Sequence, residues 1–83
     1  MEEVILYNRI QLFRTERGLS RKELADRVGV NYQTIGYLER GEYNPSLLLA
    51  FRFSQLFGVP IEALFSLTPF PPLSQSLQAS GPT

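Results

Sequence analysis

The sequence predicts an all-α domain, an orthogonal bundle of five short helices, followed by a proline-rich C-terminal tail. Three observations predict it. Apolar residues recur at helical spacing in five windows between residues 4 and 65. Glycines at 18, 29, 41 and 58 stand where four of those windows end. Within residues 20–41, SRKELADRVGVNYQTIGYLERG, two windows are joined by a tight glycine turn, the spacing of a helix-turn-helix. Helices this short are marginal alone, so the flanking windows must supply the missing core.

The first helix is expected over residues 4–17, with Leu6, Ile10 and Phe13 inward and Gly18 closing it. Ile5 and Leu12 fall elsewhere on the wheel and are expected to be partly exposed. Ser20 and Glu23 have capping-box spacing and start a second helix over 21–28, whose inner side is Leu24, Ala25 and Val28. Gly29 supplies the turn, and Val30 can plug the angle between the two helices. Asn31 is a good N-cap for a third helix over 32–40, with Ile35 and Leu38 inward and Gly41 ending it.

The next segment, GEYNP, is a loop, because the residue before Pro45 is pushed out of the helical region. Ser46 can cap a fourth helix over 47–57, which ends at Gly58. Pro60 suits a first helical position and opens a short fifth helix through Ile61, Leu64 and Phe65. The expected centre of the core is Phe13, Leu24, Ile35, Leu38, Phe53, Phe57 and Leu64. Residues 1–66 therefore form the folded domain, and 67–83 a Pro/Ser-rich tail. That tail carries no charge and is extended in its first part, with disorder expected after about residue 74.

Composition narrows the function. A chain of 83 residues with 43% hydrophobic content makes one small domain. It has no cysteine and no histidine, so disulfides, histidine acid–base chemistry and Cys/His zinc sites are not expected. Glu16, Glu23, Asp26 and Glu39 are each explained by capping or ion pairing, and no phosphate-binding glycine loop is present. An enzyme, a metal site, a cofactor and a small-molecule ligand are therefore not expected. No apolar run approaches the length of a membrane span, and the acidic start lacks a signal-peptide cleavage site. The cytoplasm is the expected compartment.

Net charge is zero, which on its own disfavours a nucleic-acid binder. Its distribution is uneven. Between Arg9 and Arg40 seven basic residues face four acidic ones, while Glu2, Glu3, Glu42 and Glu62 lie outside. A local positive face is possible, with weak long-range steering.

On the third helix, Tyr32, Gln33, Gly36, Tyr37 and Arg40 form one stripe opposite Ile35 and Leu38. The amide of Gln33 can bond bidentately to adenine N6 and N7. Tyr32 and Tyr37 can pack on thymine methyls or bond phosphates, and Gly36 leaves room for close approach. The plainer reading is that Gln33 is an exposed polar residue and the tyrosines shield the bundle; the helix-turn-helix frame favours groove contact. Arg21 starts the second helix, where free amides and a guanidinium together favour a phosphate. Arg40, Tyr43 and Asn44 can hold the backbone on the other side. Arg14 and Glu39 lie near the inner edges of their helices and can fasten the first helix to the third, a structural role.

These residues, RxxxGLSRKELADRVGVNYQTIGYLERGEYNPS from Arg14 to Ser46, resemble the lambda repressor/Cro-type helix-turn-helix family, also called the XRE family. The similarity spans about residues 6–65 and looks most like the small stand-alone regulators of bacteria and archaea. The resemblance implies a sequence-specific transcriptional regulator of double-stranded DNA, with groove-facing places at Asn31, Tyr32, Gln33, Gly36 and Tyr37. It implies phosphate contact at Arg21, where glutamine is more usual, and an arginine–glutamate link at Arg14 and Glu39. It also implies homodimers on roughly two-fold operators. Leu48 and Leu49 depart from the family's pattern of polar residues there. With Leu67, Phe70 and Leu73 they are the expected dimer interface, or else pack within their own chain. The alternative function is a protein-interaction or antitoxin-like module with weak or no DNA binding. RNA is a poorer partner, because its A-form groove does not admit a helix.

Overall fold

In the computed structural model, residues 4–71 are described. Leu73 and the expected disorder after residue 74 lie outside them. Five helices appear: α1 (Ile10–Glu16), α2 (Arg21–Val28), α3 (Tyr32–Glu39), α4 (Leu47–Phe57) and α5 (Ile61–Leu64). Two short strands, β1 (Tyr7–Asn8) and β2 (Phe65–Ser66), pair antiparallel, with Tyr7 opposite Ser66 and Asn8 opposite Phe65.

Local chemistry fixes most boundaries as expected. Ser20 and Glu23 form a reciprocal capping box, with the Ser20 hydroxyl accepting from the Glu23 N–H at 3.0 Å and the carboxylate accepting from the Ser20 N–H at 2.9 Å. Gly29 ends α2 in the left-handed region at φ 79°. Asn31 Oδ1 accepts from the Gln33 N–H at 2.8 Å, and Ser46 caps α4 through the Leu49 N–H. Pro60 stands at the N-cap of α5, one place before the expected first helical position.

The first helix is the main correction. It begins at Ile10, six residues later than the spacing predicts, because Tyr7 and Asn8 are drawn into the ladder with β2. A further backbone bond from Arg9 N–H to the Leu64 carbonyl, 2.9 Å, continues that pairing. Asn8 then turns the chain: its Oδ1 accepts from the Ile10 N–H and its Nδ2 donates to the Leu38 carbonyl at 2.8 Å. Leu6 still packs against the core, from the segment before β1 rather than from a helix.

The core is centred on Phe53, Ile10, Leu24, Ile35, Leu38 and Leu64, with Phe57 beside them. Phe53 and Phe57 stack with centroids 6.2 Å apart. Phe13, expected at the centre, is half-buried at its rim, with its ring 5.6 Å from Phe57. Leu49 is another correction. It is 4% exposed and belongs to this core, so it is not available on a free surface. Leu48, one residue earlier, points outward at 61% exposure, as the helical period requires.

Candidate nucleic-acid interface

The α2–turn–α3 unit is held by α1 and α4, which fixes how α3 is presented. Ile35 and Leu38 are buried against α1, α2 and Asn8. Arg52 on α4 donates to the Val28 carbonyl at 3.1 Å, satisfying a free carbonyl at the end of α2. Arg17 donates to the Phe57 carbonyl at 2.7 Å, with its guanidinium 5.0 Å from the Phe57 ring. Neither role of these arginines was anticipated from sequence. Arg52 did carry a signal, as the one charge in the mostly apolar LLLAFRFSQLF.

The opposite side of α3 is open. Tyr32 and Tyr37 are 55% and 49% exposed, and Gln33 is exposed between them. Arg21, Tyr32, Gln33, Gly36, Tyr37 and Arg40 line one shallow concavity of about 210 Å³. The stripe read from the sequence is therefore assembled, and Arg21 joins it from the start of α2. Gly36 forms the floor of the concavity and is itself buried; a Cβ there would stand 3.4 Å from Arg40 Nη1. Asn31 is exposed but not among the lining residues, and its Oδ1 is engaged in capping α3. Tyr43 and Asn44, beyond the helix, are exposed.

The cations on this face are not free charges. Glu39, whose side chain is 2% exposed, takes Arg14 Nε on Oε2 at 2.6 Å and Arg21 Nε on Oε1 at 2.9 Å. Arg14 also donates from Nη2 to Oε1 at 3.4 Å and from Nη1 to the Leu19 carbonyl at 2.9 Å. The link between the first and third helices thus forms, and Arg21 is a third member of it. Arg40 bonds Glu42 at 2.7 Å and lies 5.0 Å from the Tyr37 ring. Each partnered arginine keeps N–H donors beyond those bonds, since a guanidinium has five.

The other sequence-selected residues divide between surface and fold. Leu67 is 66% exposed, while Phe70 is half-buried with the Arg9 guanidinium 4.2 Å from its ring centroid. Leu47 and Phe51, at 71% and 50% exposure, extend the apolar surface around Leu48. Among the described residues no helix is long and apolar enough to cross a membrane.

Two short capped helices at a glycine turn, the second exposing a polar and aromatic face flanked by arginines, define a helix-turn-helix domain of DNA-binding type. A family model described as helix-turn-helix matches residues 10–64. An "uncharacterized HTH-type transcriptional regulator" of Archaeoglobus fulgidus is 49% identical over 57 residues, covering 69% of this chain and 81% of that protein. A similarly described protein of Methanothermobacter thermautotrophicus is 51% identical over 59 residues, covering 70% and 86%. Among solved structures, the restriction-modification controller protein C.AhdI from Aeromonas hydrophila superposes with a TM-score of 0.62 at 29% identity, covering 66% of this chain and 83% of that one. A hypothetical transcription factor, NHTF, from Neisseria gives 0.66 at 27% identity, covering 84% and 73%. The chain belongs to the lambda repressor/Cro-type (XRE) helix-turn-helix family of DNA-binding transcriptional regulators.

Proposed function

We propose that this protein is a sequence-specific double-stranded DNA-binding transcriptional regulator that lays α3 in the major groove, acts as a homodimer in the cytoplasm and performs no enzymatic step. The observation that carries this reading is the open face of α3, where Gln33, Tyr32 and Tyr37 project beside Arg21 and Arg40 from a helix fixed by its buried side. Asn31, Tyr32, Gln33, Gly36 and Tyr37 face the base edges, and Gly36 lets the helix backbone approach. Arg21, Arg40, Tyr43 and Asn44 meet phosphates and set the register, which carries no sequence information by itself. Titration of a promoter-derived duplex against a random duplex at one salt concentration tests it. Tighter binding of the promoter duplex is expected, and equal affinity would overturn sequence specificity.

Dimerisation is part of the proposal because one recognition helix reads few bases, whereas two helices about one DNA turn apart double the reading. The residues that support an interface are Leu48 and Leu67, both well exposed; Phe70 and Leu73 of the tail segment 67–83 complete the proposed set. Leu49 is withdrawn from this set, being part of the chain's own core.

The exposed cluster of Leu47, Leu48 and Phe51 on α4 favours a second reading, a protein-interaction or antitoxin-like module. Co-purification of an unrelated protein together with no retention of any duplex would support that reading over the first.

A further inference from the structure

Glu39 stands at the end of α3 with almost no exposure and receives two arginines, although one is enough to neutralise it. Arg14 already does so: it spans both carboxylate oxygens, is 11% exposed and has a second anchor on the Leu19 carbonyl. Arg21 is different. Its side chain is 49% exposed, it comes from another helix, and among the described residues only its Nε is bound, to Oε1 at 2.9 Å. The three groups together keep a surplus of one positive charge, and Arg21 is the member at the surface. That surplus lies in the wall of the concavity over Gly36, beside Gln33 and Tyr37.

We propose that Glu39 is a positioning residue for DNA binding: through Arg21 Nε it fixes the guanidinium so that its Nη donors face the nucleic acid at the edge of α3. A free surface arginine loses rotamer freedom when it docks on a phosphate, which offsets part of the contact. Here the free protein already holds the side chain through one N–H, while the Nη groups remain for a phosphate. A lysine ammonium gathers its three donors at one point, so it cannot hold Glu39 by one edge and turn a separate two-pronged edge to a phosphate. The carboxylate thus has two duties on its two sides, joining α1 to α3 through Arg14 and aiming Arg21 outward.

The inference rests on the proposed DNA-binding face, and a double-mutant cycle separates the two. Binding of wild type, Glu39→Gln, Arg21→Ala and the double variant is measured on one duplex enriched from a random pool, over a salt series, with circular dichroism to confirm folding. Glu39→Gln is expected to weaken binding about three- to tenfold in the wild-type background and clearly less when Arg21 is alanine, where only the loss of the Arg14 brace remains, as expected for coupled groups. A carboxylate that only braces the fold would weaken binding equally in both backgrounds, and that additive result would overturn the inference. Arg21→Lys leaves the Arg14–Glu39 link untouched, so it tests the same point in a variant that keeps its brace. It is expected to retain the wild-type salt slope with reduced affinity; wild-type affinity would overturn positioning by Glu39. Failure of the wild type to bind any enriched duplex would instead overturn the DNA-binding reading, and this inference with it.

Discussion

Asn8 Nδ2 donates to the Leu38 carbonyl at 2.8 Å, tying the segment before α1 to the end of α3 across thirty residues of chain. Its Oδ1 meanwhile accepts from the Ile10 N–H, so one side chain both starts α1 and receives the last turn of α3. Asn8→Ala removes both partners at a partly buried site and is expected to cost about 1–3 kcal/mol. Chemical denaturation of the two proteins checks this; an unchanged midpoint would show that water replaces Asn8 at no loss.

Gly29 closes α2 at φ 79°, and a Cβ there would stand 3.0 Å from Arg52 Nη1. Gly29→Ala therefore strains the left-handed turn by about 1–2 kcal/mol and presses on the arginine that caps α2. A thermal midpoint lower by about 4–8 °C per kcal/mol is expected for a domain of this size. The same change at Gly18, also left-handed but with open space around it, should show the backbone strain without the clash.

The capping box makes part of the stability depend on pH. The Ser20 backbone N–H, then the Ser20 hydroxyl and the charge of Arg27, hold the Glu23 carboxyl below its ordinary pKa. A carboxylate with a folded pKa lower than its unfolded one adds stability that is fully present above the unfolded pKa. That stability is lost as pH falls through the folded pKa. The thermal midpoint of wild type should thus exceed that of Glu23→Gln at neutral pH, with the difference closing in acid below the ordinary carboxylate range. A difference that stays constant into strong acid would refute the assignment.

Truncation after Ser66 removes Leu67 and Phe70 while leaving β2 in place. If the exposed leucines and the tail segment form the dimer interface, the shortened chain should sediment further toward monomer and bind DNA more weakly than the full chain. Truncation also takes Phe70 from Arg9, so Arg9→Ala is the control for that intrachain contact. Equal sedimentation of full-length and truncated chains would remove the tail from the interface.

Elements set by local chemistry were legible in the sequence. Ser20 with Glu23, Asn31, Ser46, Gly29 and Gly58 bound α2, α3 and α4 because each acts on backbone within a few residues. Tyr7 and Asn8 were misread as helix because their apolar neighbours fit a helical wheel. The competing partner, Phe65–Ser66, lies almost sixty residues away and carries no local signature. Leu49 was misplaced by comparison with a family pattern, although its own spacing from Phe53, four residues on, points inward. The face of α3 followed from its period alone. That Arg21 would share Glu39 with Arg14 did not, since it depends on the angle between helices and on the reach of a long side chain.

Base reading is proposed for the open face of α3, and Gln33 is its most specific point. Selection of bound sequences from a random duplex pool, run in parallel on wild type and Gln33→Ala at one salt concentration, measures this directly. Wild type should enrich a motif, and the variant should enrich the same motif with preference relaxed at a single position, worth about 1–3 kcal/mol there. No enriched motif for wild type, or identical motifs for both proteins, would contradict base reading by Gln33 on this face.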